Sequence, residues 1–154
     1  LRALPVLRHY GVPGTLFIAT GNVASGEAYW WDVLYRERLR SGASLAEIVA
    51  ERQCLKALCN ADIKARLRGL FGDAAMAPEG DVDRPLTVAE LQELAAEPLA
   101  TLGNHTVSHE LLTKVPLEQA RQQINDCQAM LKEWTGTAPR IKTLALPSGC
   151  SACI

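Results

Sequence analysis

The spacing of apolar residues changes several times along the chain, and each change predicts an element. Val6, Leu7 and Tyr10 recur at helical intervals, and Gly11 followed by Val12-Pro13 cannot continue a helix, so a short helix is expected to end at Tyr10. Thr15 to Ala19 is a continuous β-prone run bounded by Gly14 and Gly21, the pattern of a central strand buried on both faces of a parallel sheet. From Tyr29 to Phe71 the texture is helical. Ser44 and Glu47 form a capping box with Ala43 and Ile48 at the staple positions, and Leu45, Ile48, Val49, Arg52, Leu55 and Cys59 follow on one helix. A second helix starts near Asn60, carries Ile63, Leu67 and Leu70 on one face and ends near Gly72. Pro78, Gly80 and four acidic residues mark 72–84 as a connecting loop.

Thr87 and Glu90 make a further capping box, stapled by Leu86 and Leu91, for a helix that must stop before Pro98. Leu99 to Leu102 reads as a short strand halted by Gly103. With Pro116 as first helical residue, Ala120, Ile124, Cys127, Leu131 and Trp134 alternate steps of four and three up to Gly136. Ile141 to Leu146 is a last buried strand ending at Pro147-Ser148-Gly149. Helices and strands alternate, which predicts an α/β fold with a mostly parallel sheet.

Composition narrows the function classes. The 154 residues are 48% hydrophobic and 21% charged, enough for a sizeable core in one domain and incompatible with disorder. No apolar run approaches the roughly 18 residues of a membrane span. A net charge of −1 with dispersed Lys and Arg gives no footprint for nucleic acid. The first residue is Leu1, no targeting signal is legible, and Leu4, Val6 and Leu7 read as an element already under way, so the chain is expected to be a piece of a longer one. An odd count of cysteines, Cys54, Cys59, Cys127, Cys150 and Cys153, leans away from a disulfide framework and toward a reducing compartment.

Parallel α/β sheets place ligands at the carboxyl ends of their strands, which here directs attention to Thr20-Gly21-Asn22, Asn104 to His109, and Pro147 to Gly149. His105 and His109 stand four apart at a strand exit, where two imidazoles can meet on one metal ion. A bare H-x-x-x-H fits surface loop histidines equally well, and a hydrolytic zinc takes three protein ligands. Cys150-Ser151-Ala152-Cys153 has the spacing of a zinc or redox motif, or of simple packing at an Ala/Cys-rich tail. On the helix through Leu55, Cys54 and Cys59 are expected to be one buried and one marginal, and His9 to be solvated. Trp30 and Trp31 suit either stacking on sugar rings or anchoring a segment onto the core.

Gly103-Asn104-His105-Thr106-Val107-Ser108-His109 after a strand, preceded by a Leu-Thr-x-x-Glu-Leu helix at Leu86 to Leu91, resembles the zinc-binding motif of the polysaccharide deacetylase family, the NodB-homology carbohydrate esterases. Ala3 to Ile18 looks like the helix and strand that follow that family's Thr-Phe-Asp-Asp-Gly motif. Leu146-Pro147-Ser148-Gly149 looks like its next motif, and Tyr29-Trp30-Trp31-Asp32 with the helices after it looks like an insertion, about 29–84. The resemblance runs from about residue 3 to residue 149, the central portion of the family's domain. It implies a partial deformed (β/α) barrel and a metal-dependent hydrolase that removes N-acetyl, less often O-acetyl, groups from a glycan. It further implies a divalent metal, zinc first, held by His105 and His109, with the Ser148 backbone N–H as oxyanion donor and Pro147 shaping the substrate groove.

The family's two aspartates are expected upstream of Leu1, and its positioning Asp and acid His downstream of Ile154. Ala145 and Ser148 stand where another branch has the Arg and the aromatic residue of Arg-x-Pro-Tyr. Glu110 or Asp32 could stand in for a missing carboxylate, though no spacing demands it. The chain alone is therefore expected to hold metal weakly and to lack its catalytic base and acid. A non-catalytic carbohydrate- or protein-binding domain on this scaffold, and a zinc or redox module using Cys150 and Cys153, remain the alternatives. Export suits a cell-wall substrate and the cysteines suit a reducing compartment, so the location stays open. Unpaired strand edges of a partial barrel would invite association.

Overall fold

Local signals decide most of the helices. The computed structural model describes residues 3–136 and 143–147, and these divide into two units. One unit comprises the chain up to Ala24 and from Leu86 onward, the other Ser25–Pro85.

The first unit is mixed α/β. Helix α1, Ala3–Tyr10, leads into strand β1, Gly14–Ile18, and a short helix α2, Thr20–Ser25. Helix α6, Val88–Ala96, precedes strand β2, Ala100–Asn104, and α7 spans Leu117–Thr135. Thr87 caps α6 through a complete capping box, as its spacing with Glu90 dictates. The strands pair in parallel, Gly14 opposite Ala100 through Ile18 opposite Asn104, and a parallel bridge joins Asn104 to Leu144. Leu4, Ile18, Leu91, Leu94, Leu102, Cys127 and Leu131 close into one core between the helices and the sheet. Burying each leucine there contributes about 1.5–3 kcal/mol.

Several expectations need correction. Strand β1 is not buried on both faces: Leu16 and Ile18 turn inward while Thr15 and Phe17 lie exposed, so its apolar run conceals an alternation. Nor is it central among the described residues, because β2 carries partners on both sides, β1 and Leu144. Strand β2 runs through Gly103 to Asn104 instead of stopping before it. Of the expected strand Ile141 to Leu146, residues 141–142 lie outside the described residues and 143–146 supply only the single bridge. In α1 the inward residues are Leu4 and Leu7, while Val6 and Tyr10 are exposed. Pro116 sits at the N-cap of α7, one residue ahead of its expected place.

The second unit is helical. Helices α3, Trp30–Arg40, α4, Leu45–Leu55, and α5, Asn60–Phe71, enclose a core of Trp30, Val33, Leu34, Leu55, Ile63, Leu67 and Met76. The capping box at Ser44 and Glu47 is complete. Helix α4 stops at Leu55, short of Cys59, which is the N-cap of α5. Cys54 is exposed and Cys59 half-buried, so neither of the two is buried. The expected loop 72–84 contains one 3₁₀ turn, Asp73–Met76, because buried Met76 fills the end of the core. Trp30 anchors this unit's own core, and Trp31 packs against it while stacking on Tyr29. Among the described residues no helix is long and apolar enough to cross a membrane.

Ion pairs tie the helical unit together and set its response to acid. Arg38 grips Glu51 with two bonds of 2.7 Å, holding that carboxyl below its ordinary value. Burial pushes Glu27 up, but Lys64 and Arg68 together bring it below its ordinary value. A depressed folded pKa stabilises the fold above the ordinary carboxylate value of about 4.3, and that contribution is lost as pH falls through it. The urea midpoint is therefore expected to drop between pH 6 and pH 3, and Glu51→Gln to shrink that drop. An identical drop in the variant would contradict the assignment.

Candidate metal centre at the end of strand β2

Strand β2 ends on Asn104, a buried side chain that organises everything after it. Its Oδ1 accepts from the Thr106 N–H at 2.9 Å and its Nδ2 donates to the Ile124 carbonyl of α7 at 2.9 Å. Its own backbone N–H donates to the Thr143 carbonyl at 2.9 Å, and its carbonyl accepts from Ala145 N–H at 3.0 Å. One asparagine thereby fixes the loop 105–110 against α7 and against 143–147.

The loop backbone is held from several sides. His105 N–H donates to the Ile18 carbonyl, Thr20 N–H to the Thr106 carbonyl, and Gly21 N–H to the Val107 carbonyl, so the end of β1 and the start of α2 both clasp it. Gln123 of α7 accepts through Oε1 from both the backbone N–H and the hydroxyl of Ser108. Thr106, fully buried, has φ +65°, and His109 has φ +56°. These are the two positive-φ residues other than glycine among the described residues. Each costs of the order of 1–3 kcal/mol, and such strain persists where surrounding bonds over-determine it, most often at functional sites. The Thr106 hydroxyl adds one more restraint by accepting from Glu110 N–H at 3.1 Å.

The structure brings His105 and His109 together, with ring centroids 4.6 Å apart and planes at 85°. Nδ1 of His105 lies 2.8 Å from the Ala145 carbonyl. A carbonyl only accepts, so in the neutral ring Nδ1 carries the proton and Nε2 keeps a lone pair. This is the arrangement that orients a ligating histidine. The exposed Phe17 ring lies 6.2 Å from the His105 ring. It also sits over Gly103, where an added Cβ would fall 2.4 Å from the ring, so glycine lets Phe17 lie flat there.

Tested for a zinc-type ion, the donors fit in kind: two imidazoles, one with its tautomer set by a backbone carbonyl. They are not a full set, since no three His, Cys, Asp or Glu side chains cluster for a metal among the described residues. Glu110 is buried beside the loop, and no such cluster includes it.

The remaining predicted residues are distributed as follows. Pro147 is buried, two residues past the carbonyl that holds His105. Ser148, Cys150 and Cys153 lie outside the described residues. His9 is exposed and packs edge-on against Tyr10. Cys127 is buried with its thiol 3.5 Å from the Ile18 carbonyl, and burial pushes that thiol up, which suits packing and not reactivity. Sequence reasoning placed Asn104 and Gly21 at strand exits but did not reveal that they pin the loop, and it missed Gln123 altogether. The short side chains at the strand exits were the only signal for the first two.

Gly21 gives a direct test of the clasp. A Cβ there would lie 2.7 Å from the Val107 carbonyl oxygen, a backbone atom that cannot swing aside. Alanine gains about 1 kcal/mol of helix propensity over glycine, yet the overpacking costs about 1–3 kcal/mol. Gly21→Ala is expected to lower the urea midpoint and shift the backbone resonances of Val107 and Ser108. A variant as stable as the parent, with those resonances unmoved, would refute the close approach.

The polysaccharide deacetylase family model matches residues 1–152, nearly the whole chain. No curated protein and no solved structure matches it. With a parallel-strand exit that presents a His-x-x-x-His pair and a family match over almost its full length, this chain belongs to the polysaccharide deacetylase family.

Proposed function

We propose that the chain contributes the metal-binding half of a hydrolase that removes N-acetyl, or O-acetyl, groups from a glycan. Membership of the family suggests carbohydrate deacetylation. The observation that carries the finer reading is the His105–His109 pair on a strained loop clasped from several elements, with the His105 tautomer fixed for ligation. His105 and His109 would hold a divalent metal, zinc first. When bound, such an ion polarises an acyl carbonyl and lowers the pKa of water.

The chain's own residues then have distinct tasks. The Ala145 carbonyl keeps His105 in one tautomer, and the bonds from Ile18, Thr20, Gly21 and Gln123 hold the loop without reorganisation when substrate arrives. Pro147 shapes the substrate groove, and the Ser148 N–H donates to the developing oxyanion. The third ligand, the base that takes the water's proton and the acid that protonates the leaving amine come from residues outside those described. In this reading the two units are parts of one deacetylase domain, a deformed (β/α) barrel in which 29–84 is a helical insertion.

The test is acetate release from N-acetylglucosamine oligomers by the protein at its natural full length, with zinc supplied. His105→Ala is expected to reduce the rate by more than the ~10–100-fold that losing an outer-shell partner costs a metal site. Undiminished release in that variant would overturn the assignment.

A further inference from the structure

In the helical unit a cavity of ≈ 430 Å³ is lined by Asp32, Tyr35, Arg36 and Asp83 among others, within the ~300–1,000 Å³ typical of small-ligand sites. A smaller concavity of ≈ 180 Å³ shares Asp32 and Tyr35 and continues over Trp31, Leu45 and Val49. Asp32 and Tyr35 stand three apart on α3 and so lie on one face, at the junction of a polar and an apolar hollow.

The charges around the larger hollow are matched, with one exception. Arg36 bonds to Glu37 at 3.0 Å, to Asp83 and to the Ala75 carbonyl, and lies 3.4 Å from Glu79. Asp83 also accepts from the backbone N–H groups of Glu79 and Gly80. Asp32 alone among these carboxylates has no hydrogen bond or ion pair to its side chain among the described residues. Burial, and then the neighbouring Asp83, push its carboxyl above the ordinary value, against a smaller opposing pull from Arg36. Arg36 is thus a neighbour of Asp32 but not its ion-pair partner. Beside it the exposed Tyr35 and the exposed apolar side chains of Leu45 and Val49 line the smaller concavity.

We infer that Asp32 and Tyr35 form a subsite for an unacetylated amino sugar, whose ammonium pairs with the Asp32 carboxylate while the apolar face of the pyranose lies on Tyr35. A divalent metal fits poorly, since hard cations take several oxygen ligands and the other carboxylates are committed to Arg36. An ammonium needs one carboxylate and gains from an aromatic face within about 6 Å. The inference rests on the deacetylase reading in one respect: removal of an N-acetyl group generates this amine, so the subsite would grip sugar units already processed.

The test titrates the full chain with a glucosamine oligomer, an N-acetylglucosamine oligomer of equal length, and trilysine. The glucosamine oligomer is expected to bind most tightly. Asp32→Asn is expected to weaken it roughly ten-fold or more, as for loss of a hydrogen bond to a charged group. Tyr35→Ala is expected to weaken it and Tyr35→Phe to preserve it, with circular dichroism confirming the fold of each. No binding of the glucosamine oligomer, binding indifferent to Asp32→Asn, or equal binding of trilysine would each overturn the subsite. Loss of the deacetylase reading would show separately, as absent acetate release with glucosamine binding intact.

Discussion

Asn104→Ala is expected to destabilise the chain by about 2–4 kcal/mol and to loosen the histidine loop with it. The substitution strands the Thr106 N–H in a site where Asn104 is 2% and Thr106 0% exposed, and an orphaned buried donor costs about 1–3 kcal/mol. It also removes the bond to the Ile124 carbonyl, about 0.5–1.5 kcal/mol more. The positive φ of Thr106 makes the effect local as well as global. With its anchor gone, the strained threonine can relax toward negative φ, and His105 and His109 separate. Asn104→Asp keeps the acceptor for Thr106 but sets a buried carboxylate against the Ile124 carbonyl, so it is expected to destabilise at least as much as alanine. Urea unfolding gives the stability, and the His105 and His109 ring resonances report the loop. A variant within 0.5 kcal/mol of the parent would refute the keystone role, since that is the ordinary scatter of surface changes.

What could be read from the sequence follows the range over which each signal acts. The capping boxes at Ser44 and Thr87 form as their spacing requires, because a cap depends on three neighbouring residues alone. Helix α7 buries Ala120, Cys127 and Leu131 as its periodicity demands. Strand β1 shows where local reading fails. Gly14 to Ile18 is apolar enough to suit burial on two faces, yet Phe17 is 41% exposed, and only the neighbouring structure decides this. Helix α2, six residues of which Ala24 alone is a strong helix former, carries no periodicity to detect.

The site divides in the same way. The pair His105 and His109 was visible as spacing at a strand exit, and their rings do meet. The supports were not visible, because Ile124 lies 20 residues from Asn104 and Ala145 lies 40 from His105. Asp32 belongs to neither pattern: next to Trp31 it reads as an ordinary acidic residue in the first turn of a helix, and its missing partner is evident only in three dimensions.

The other large effect concerns the histidines themselves. A divalent ion held by two imidazoles loses half its nitrogen donors when either is removed, so His105→Ala and His109→Ala are each expected to weaken zinc binding by more than the ~10–100-fold of an outer-shell loss. Both side chains lie on a half-buried loop over the core, not in it, so the variants are expected to fold. His9→Ala serves as control, since that exposed ring contacts Tyr10 on α1, away from the pair.

The metal centre is tested by calorimetric titration of the dialysed chain with zinc, run beside His105→Ala, His109→Ala and His9→Ala. One equivalent is expected to bind to the parent and to His9→Ala, with affinity collapsing in the other two. Equal affinity in all four proteins would contradict a metal centre at the end of β2.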